Sequence, residues 1–361
     1  MTRWGKRIAI ASIAVVALAA AAFFLFQRQI GEYLFERAVT ERLGQPETTE
    51  QDDAIHVYMC GTGAPLADPE RAGPCIGVVA GEHAFLFDVG SGSMRTAGRM
   101  GFPVADTEAL FLTHLHSDHF DGLGELMVQA WVGGARSEPL PVVGPPGTIE
   151  VTDGFNAAYR IDAGYRTAHH GERVANPTGY GLAAREITLP EDTERGIVYD
   201  RDGVRITAFR VSHDPVDNPF GYRIDYAGRS IAISGDTTYD PNLVVAARGV
   251  DILFHEALDP EMVGSMQRAA ERQGMEVGAK VLADIPAYHT PPDDAARAAS
   301  EAGAGALVFY HMIPPLPSRL LHAYFLDGVR EQYAGPVRLA DDGLVIILPA
   351  DSEEVRYRSG L

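Results

Sequence analysis

The segment of this chain that most restricts its fold is the hexapeptide at residues 114–119, His-Leu-His-Ser-Asp-His. It places four side chains of the types that bind metal ions within a single turn. Residues 108–113, just before it, form a short apolar run typical of a buried strand, and the apolar spacing over residues 120–131 predicts a helix. The hexapeptide therefore predicts a metal centre at a strand-to-helix turn.

The spacing inside the hexapeptide divides its ligands into two groups. Alternate side chains of an extended segment point the same way, so His114 and His116 can share one cation. Asp118 and His119 lie where the chain turns toward the helix and can reach a second cation. Imidazole and carboxylate together suit zinc, with manganese or iron as further candidates. A histidine-rich surface loop is the alternative, and the rest of the chain argues against it.

Three strand-like runs, at residues 203–213, 229–236 and 306–311, each end in one further ligand-type residue. An α/β sheet presents its chemistry at such strand ends. Taken alone, each residue is more typical of a turn or a cap than of a metal ligand. These final residues are His213, Asp236 and His311.

Residues 55–348 resemble the metallo-β-lactamase-fold hydrolase superfamily, and within it the ribonuclease Z-like, arylsulfatase and phosphodiesterase branch. The segments that carry the resemblance are Cys60-Gly-Thr-Gly, Phe87-Asp, the hexapeptide, Ser212-His, Ser234-Gly-Asp-Thr, His255-Glu-Ala, Tyr288-His-Thr and Tyr310-His. Strand-like and helix-like runs alternate along the chain, which indicates a layered α/β domain. The resemblance implies a four-layer αββα sandwich.

The resemblance also implies roles for individual residues. By position, one metal is held by His114, His116 and His213, the other by Asp118, His119 and His311, and Asp236 bridges both. Two residues are implied to be catalytic: Asp118 orients the nucleophile and His289 protonates the leaving group. Asp88 and the pair His255-Glu256 are expected to hold ligand tautomers, or else to be a loop aspartate and a pair at a helix start.

Such a site suits ester hydrolysis. Two zinc ions, or Mn²⁺ or Fe²⁺ in their place, depress the pKa of a bridging water and make hydroxide available at neutral pH. A small phosphodiester or aryl sulfate ester is the expected substrate, because both present a tetrahedral anionic centre. The alternatives are a lactone, thioester or β-lactam hydrolase, a ribonuclease Z-type endonuclease acting on transfer RNA precursors, and a non-catalytic zinc-binding surface protein.

Several features argue against a nucleic-acid substrate. The chain has Pro-Pro after Thr290 and Met-Ile-Pro-Pro after His311, where ribonuclease Z-like sequences differ. Residues 139–199 hold Phe155, Tyr159, Tyr165, His169, His170 and Tyr180 where a transfer RNA processor carries a basic arm. The formal charge is −19, and subtracting the net +3 of residues 1–45 leaves −22 for the remainder. Such a field repels long RNA, so we expect no nucleic-acid partner.

The N-terminus predicts a membrane anchor. Residues 8–26 carry no charge, and as a helix they reach roughly 28 Å, enough to span a bilayer core. Arg3, Lys6 and Arg7 before this run predict a cytoplasmic N-terminus, with the later residues on the outer, periplasmic side. Secretion after signal cleavage is the alternative, because residues 19–22 are alanines.

Three segments follow from this organisation. Residues 1–27 form the cytoplasmic tip and anchor, residues 28–53 an amphipathic stalk and polar linker, and residues 54–361 the hydrolase domain. Residues 28–45 are either an amphipathic helix on a surface or a plain stalk. Further helices are expected at residues 241–248, 262–284 and 293–302. The sequence leaves open whether the protein forms a homodimer.

The chain contains two cysteines, Cys60 and Cys75, expected on neighbouring strands. A disulfide and two buried free thiols remain equal alternatives, because sequence does not reveal the pairing geometry. Neither cysteine occupies a ligand position.

Overall fold

The computed structural model describes residues 3–42 and 53–361, and the chain divides into two compact units, residues 1–50 and 51–361. The polar linker that ends the expected segment 28–53 lies outside the described residues apart from Asp53.

The described part of the first unit is one continuous helix, α1, Arg3–Arg42. It is long and apolar enough to cross a membrane, with a mean hydropathy of 2.7 in its most apolar window. The expected amphipathic stretch at residues 28–45 continues α1 without a break as far as Arg42, and its last three residues lie outside the described part.

The described part of the second unit contains fifteen strands in two sheets. They are β1 Ala54–Gly61, β2 Cys75–Ala80, β3 His83–Phe87, β4 Thr107–Phe111, β5 Leu140–Gly144, β6 Leu182–Glu186, β7 Arg195–Arg201, β8 Val204–Arg210, β9 Phe220–Tyr226, β10 Arg229–Ile233, β11 Ile252–Leu258, β12 Ala306–Ile313, β13 Val337–Leu339, β14 Leu344–Pro349 and β15 Arg356–Ser359.

The described part of this unit also contains nine α-helices. They are α2 Ser93–Arg99, α3 Leu123–Gly133, α4 Thr148–His170, α5 Pro241–Ala246, α6 Pro260–Arg272, α7 Glu276–Asp284, α8 Pro292–Ala302, α9 His322–Phe325 and α10 Val329–Gln332.

Helices α3, α5 and α8 lie where the sequence predicts them, within a few residues at each end. The single helix expected at residues 262–284 is wrong. Two helices, α6 and α7, occupy this stretch, and the chain turns between them at Gly274, whose φ of 70° lies in the left-handed region that ends helices. The long helix α4 has no counterpart among the predicted helices.

The two sheets stack face to face. One has the strand order β15-β14-β1-β2-β3-β4-β5-β6 and the other the order β13-β12-β11-β10-β9-β8-β7. One apolar core lies between the sheets, a second lies under α2, α3 and α4, and a third lies under α5 and α8. These layers confirm the expected four-layer αββα sandwich.

Strand β1 shows why the sequence forms buried strands. All of its residues are buried, and alternate side chains reach different cores: Ile55, Val57 and Met59 face the other sheet, whereas Tyr58 and Cys60 face the outer layer. A strand covered on both faces is apolar throughout and loses the alternation of polar and apolar residues seen in half-exposed strands.

An aromatic cluster joins the two sheets directly beneath the hexapeptide. The ring of Phe111 on β4 stacks on Phe87 of β3 at 5.2 Å and meets Tyr222 of β9 edge to face at 5.5 Å. Each such pair contributes about 0.5–1.5 kcal/mol beyond its buried area. The Tyr222 hydroxyl donates a 2.6 Å hydrogen bond to the carbonyl of Leu112, two residues before His114. The cluster therefore fixes the backbone that leads into the hexapeptide.

A disulfide joins Cys60, near the end of β1, to Cys75, at the start of β2, with their Cα atoms 5.1 Å apart. The two strands are antiparallel neighbours in one sheet. Of the two alternatives that the sequence leaves open, the structure has the disulfide.

Candidate active site

The ligand-type residues gather along one edge of the sandwich, where the strands of both sheets end. The hexapeptide follows β4, and its residues Ser117–His119 form a short 3₁₀ turn before α3 begins at Leu123. His213 follows β8, and Asp236 follows β10. This edge brings together residues that are far apart in the sequence.

His311 reaches the same edge by a different route. The strand that carries it continues to Ile313, so the expectation that this strand ends at His311 is wrong. The pairing register between β11 and β12 shifts after Glu256 and Tyr310, which leaves His311 as an extra residue on β12. His311 has a φ of 45°, rare for a residue with a side chain. The bulge and this strained backbone turn the imidazole out of the sheet toward the other ligands.

Three histidines form the first group of candidate ligands. His116 Nδ1 lies 2.9 Å from His114 Nε2 and 3.3 Å from His213 Nε2. One ligand atom from each of the three lies within 4.8 Å of the others, close enough to hold a single ion. His114 and His213 are buried and His116 is exposed, so the group opens to solvent on the side of His116.

The second group combines a carboxylate with two imidazoles. Asp118 Oδ2 lies 3.5 Å from His119 Nε2 and 3.3 Å from His311 Nε2. This group meets the same 4.8 Å spacing. The hexapeptide thus contributes residues to both groups, as its spacing predicts.

Asp236 lies between the two groups. Its Oδ2 atom is 3.4 Å from His119 Nε2 and 3.3 Å from His311 Nε2. The same oxygen is 3.9 Å from His114 Nε2 and 4.0 Å from His213 Nε2, in the first group. A single carboxylate facing both groups has the position required of a bridge.

The polar atoms of this centre fit divalent cations. His119 Nε2 and Asp236 Oδ1 are buried without a hydrogen-bond partner, which is costly unless another group satisfies them. Burial raises the pKa of the Asp236 carboxyl, but the imidazoles of His311 and His119 outweigh burial and hold that pKa well below its usual range.

The nearby carboxylates raise the pKa of His119, whereas the imidazoles lower that of Asp236. Burial lowers the pKa of this imidazole, but Asp236 and Asp88 outweigh burial and raise that pKa well above its ordinary value. The carboxylates therefore attract positive charge to this point, as they would attract a divalent cation. Histidine and aspartate with these spacings form a donor set of the kind that binds zinc.

Asp88 orients the ring of His119. Its Oδ2 lies 2.8 Å from His119 Nδ1, and both of its oxygens accept hydrogen bonds from Thr113, each at 2.8 Å. A proton on His119 Nδ1 leaves Nε2 free to face the candidate centre. Asp88 itself has a φ of 56°. These contacts agree with the role that the sequence analysis gives to Asp88.

We expect Asp88→Asn to lower metal affinity by about 10- to 100-fold, because an amide holds the His119 tautomer less firmly than a carboxylate. Asparagine also tolerates the left-handed backbone of this position. Competition with a metal chelator measures the affinity. Asp251→Asn is the control, because Asp251 pairs with Arg229 instead of a candidate ligand. Equal affinities for the two variants would remove Asp88 from this role.

His289 lies beside the candidate centre with a carboxylate behind it. The ring centroids of His289 and His311 are 5.7 Å apart, and His289 Nδ1 is 3.2 Å from Glu256 Oε2. Burial alone lowers the pKa of His289, but Glu256 outweighs burial, so this pKa lies above its ordinary value. A raised pKa favours the protonated imidazole that a general acid needs.

Glu256 also fixes the loops on either side. Its Oε1 accepts hydrogen bonds from the backbone N–H of Thr290 at 2.9 Å and of Thr237 at 3.3 Å. Thr237 directly follows Asp236, so one carboxylate holds the segments of both the candidate acid and the candidate bridge. His255 does not match its expected role, because the hydrogen bond of its Nδ1 goes to the backbone carbonyl of Glu256, at 2.6 Å, instead of to a candidate ligand.

Sequence reasoning misses two groups that orient ligands. The carbonyl of Tyr288 accepts a 2.7 Å hydrogen bond from His213 Nδ1, which directs Nε2 of that ring toward His116. The hydroxyl of Thr113 lies 3.0 Å from His114 Nδ1. The position of a backbone carbonyl cannot be predicted from the sequence. For Thr113, the only indication is its place next to the hexapeptide.

Three of the six aromatic and histidine residues singled out in the region 139–199 pack against the domain. Helix α4 fills much of this region and packs against the outer layer: Phe155 contacts Phe120, and Tyr180 contacts Trp131. Tyr159 lies so close to Gly124 that a Cβ there would meet the Tyr159 ring at 2.5 Å or less. Three other members of the set, Tyr165, His169 and His170, are exposed.

Comparison with known proteins identifies similar chains. Residues 83–312 match the family described as Beta-lactamase superfamily domain. Ribonuclease Z of Mycobacterium avium (strain 104) is 37% identical over 290 residues, which cover 80% of this chain and 96% of that protein. Ribonuclease Z of Mycobacterium marinum (strain ATCC BAA-535 / M) is 36% identical over 264 residues, 73% of this chain and 88% of that protein.

A solved structure supports the fold. Human tRNase Z, short form, has a TM-score of 0.56 and 22% identity, and the match covers 81% of this chain and 99% of that one. At this identity the likeness shows the fold alone.

Proposed function

Because the chain belongs to the beta-lactamase superfamily and has ribonuclease Z homologues, we propose that it is a metal-dependent phosphodiesterase with a ribonuclease Z-type active site. The observation that carries this proposal is the grouping of six ligand-type side chains around Asp236, with a carboxylate-backed imidazole beside them. A non-catalytic zinc protein needs the ligands but has no need of that imidazole.

In this proposal the first group would hold one divalent cation and the second group another, with Asp236 between the two groups. The ligands are His114, His116 and His213 for the first, and Asp118, His119 and His311 for the second. A pair of divalent cations, zinc being the best match to these donors, supplies a nucleophile at neutral pH and offsets charge on the phosphoryl oxygens.

The remaining chemistry belongs to two side chains. Asp118 accepts the proton of the attacking water and so directs the attack toward phosphorus. His289 donates a proton from Nε2 to the departing oxygen, while Glu256 holds Nδ1 from behind at 3.2 Å. A phosphate diester has a leaving oxygen that needs this proton, which favours an ester over substrates cleaved without an acid.

The relatives favour RNA as the substrate. Curated proteins named ribonuclease Z align with this chain over nearly their whole length, which runs against the expectation of no nucleic-acid partner drawn from charge. We therefore place cleavage of an RNA phosphodiester first among the substrates.

A small phosphodiester or an aryl sulfate ester is the second candidate. The residues outside 1–45 carry a formal charge of −22, which opposes binding of a long polyanion. Helix α4 also packs on the domain where a basic arm would extend. A small anionic ester needs only the cations and the acid.

One panel of substrates tests both candidates. The metal-loaded protein is incubated with a transfer RNA precursor, a nitrophenyl phosphodiester, a nitrophenyl sulfate, a lactone and a β-lactam. The first candidate predicts cleavage of the precursor at its 3′ side, and the second predicts turnover of the small diester or sulfate alone. Preferential turnover of the lactone or β-lactam would contradict both.

For the N-terminal unit we propose a membrane anchor with the hydrolase domain on the outer side of the membrane. The supports are the positive residues before the uncharged run, the length of α1 and the Cys60–Cys75 disulfide, since disulfides persist in oxidising compartments. The proposed boundaries are those of the sequence analysis: residues 1–27, 28–53 and 54–361. A mature chain that lacks its first residues and is absent from membranes would favour secretion instead.

We expect alkaline phosphatase fused after Asp53 to be active, because this reporter folds only where its disulfides form. Fusion after Arg7, ahead of the uncharged run, is the matched control and should be inactive. Reporter activity normalised to expression is the measurement. An inactive but well-expressed fusion after Asp53 would overturn the proposed topology.

A further inference from the structure

The residue before the candidate acid presents an aromatic ring at the candidate active site. Tyr288 directly precedes His289, and the two rings are tilted against each other with their centroids 5.1 Å apart. The Tyr288 ring also meets the ring of His213 edge to face at 5.2 Å. Part of Tyr288 is exposed to solvent. The candidate acid and one candidate metal ligand therefore share an aromatic neighbour, whose side chain has no role in the chemistry proposed above.

The position of this ring corresponds to the departing part of the substrate. A general acid must come within hydrogen-bond reach of the oxygen that it protonates. Since His289 is this acid in the proposed function, the group attached to the departing oxygen lies beside His289. The Tyr288 ring contacts His289 on the side of His213, so it lies next to that group.

The chain segments around Tyr288 are apolar. Residues 285–292 and residues 61–67 contain no Asp, Glu, Lys or Arg. Ala64, Leu66 and Tyr288 are partly buried against the same apolar cluster, to which α6, α7 and the last residues of β11 and β12 contribute. A leaving group beside Tyr288 therefore meets apolar and aromatic surface, and its recognition there does not depend on charge.

We propose that Tyr288 forms a subsite for an aromatic ring on the leaving side of the ester, either an aryl group or a nucleobase. The inference rests on the proposed phosphodiesterase function and names a part of the substrate which that function leaves open. Two aromatic rings that pack offset or edge to face bind about 2- to 10-fold more tightly than their apolar area alone provides. Tyr288 thus distinguishes aromatic leaving groups from saturated groups of the same size.

Binding of two phosphonates to the metal-loaded, full-length protein tests the subsite without turnover. Benzylphosphonate carries an aromatic ring and cyclohexylmethylphosphonate a saturated ring of similar size, and in both a CH₂ group replaces the ester oxygen. We expect calorimetry to show that benzylphosphonate binds about 2- to 10-fold more tightly. Tyr288→Leu should remove this preference, whereas Tyr288→Phe should keep it, because phenylalanine retains the ring.

Tyr226→Leu is the matched control. Tyr226 is also a partly exposed tyrosine, but it lies just before β10, at the opposite end of that strand from Asp236. This variant should bind both phosphonates as the parent protein does. The metal content of each variant reports whether His213 keeps its place. A preference for benzylphosphonate that survives in Tyr288→Leu, or that disappears in Tyr288→Phe, would overturn the proposed subsite.

A second pair of ligands separates the two sources of the ring. Adenosine 5′-monophosphate and ribose 5-phosphate differ only in the nucleobase. A preference for the nucleotide that Tyr288→Leu abolishes would assign the subsite to a nucleobase, and a ring preference confined to the phosphonates would assign it to an aryl group.

The binding measurements also separate this inference from the proposed function. No ring preference in either pair would contradict the subsite even if phosphodiesters are hydrolysed. A ring preference that depends on Tyr288, in a protein that hydrolyses no phosphodiester, would support the subsite and contradict the proposed function alone.

Discussion

Replacing Asp236 with alanine is expected to abolish binding of two metal ions and to lower the phosphodiesterase rate by roughly 10³-fold or more. The reason is the position of its Oδ2, within 4.0 Å of an imidazole nitrogen from each group of ligands. Without this carboxylate, four buried imidazoles face one another with less negative charge to attract a cation. Metal stoichiometry of the purified protein and the rate on a nitrophenyl phosphodiester are the measurements.

Asp259→Ala is the control for this experiment. Asp259 is also a buried aspartate at the end of a strand, but its side chain accepts hydrogen bonds from Glu261 N and Met262 N and caps α6. Its loss should cost about 1 kcal/mol of stability and leave the metal content unchanged. Two full equivalents of metal in the Asp236→Ala variant would remove Asp236 from the bridging position.

Replacing His289 with alanine is expected to affect substrates according to their leaving groups. A nitrophenolate leaves without help, whereas an alkoxide must be protonated as it departs. We therefore expect a loss of about 10²- to 10⁴-fold for alkyl phosphodiesters and a much smaller loss for nitrophenyl diesters. Rates for a series of diesters with leaving groups of rising pKa measure this dependence.

Glu256→Gln tests the group behind the acid. The amide removes the negative charge 3.2 Å from His289 Nδ1 yet preserves the shape of the side chain. We expect the same leaving-group trend as for His289→Ala, but a smaller one, with metal content retained. Equal losses on alkyl and nitrophenyl diesters in both variants would count against His289 as the acid.

The sequence predicts most of the candidate site because each ligand directly follows or interrupts an apolar run. The hexapeptide predicts a metal centre on its own. His213 and Asp236 end strand-like segments that the structure contains. For His311, only the residue type indicates that it could be a ligand. Its imidazole points to the site through a bulge and a positive φ, and neither has a signature in apolar spacing.

The layered architecture is also predictable, whereas two helices are not. Two of the three buried residues of α4 are threonines, while Ile161 and Tyr165 on its exposed side are apolar or aromatic, so the periodicity that normally reveals a surface helix is weak there. The division between α6 and α7 depends on the left-handed backbone at Gly274. The spacing of apolar residues does not reveal this conformation. The missed helix α4 follows from apolar side chains on its exposed side, and the division between α6 and α7 follows from local backbone conformation. A pattern of core residues reveals neither.

The measurement that tests the central claim most directly is a metal titration of the metal-free, full-length protein. Hydrolysis of a nitrophenyl phosphodiester is followed as zinc is added, and bound metal is counted at each step. The proposed two-metal phosphodiesterase predicts that full activity requires the second equivalent. Full activity with one equivalent, or no diester hydrolysis once two equivalents are bound, would contradict it.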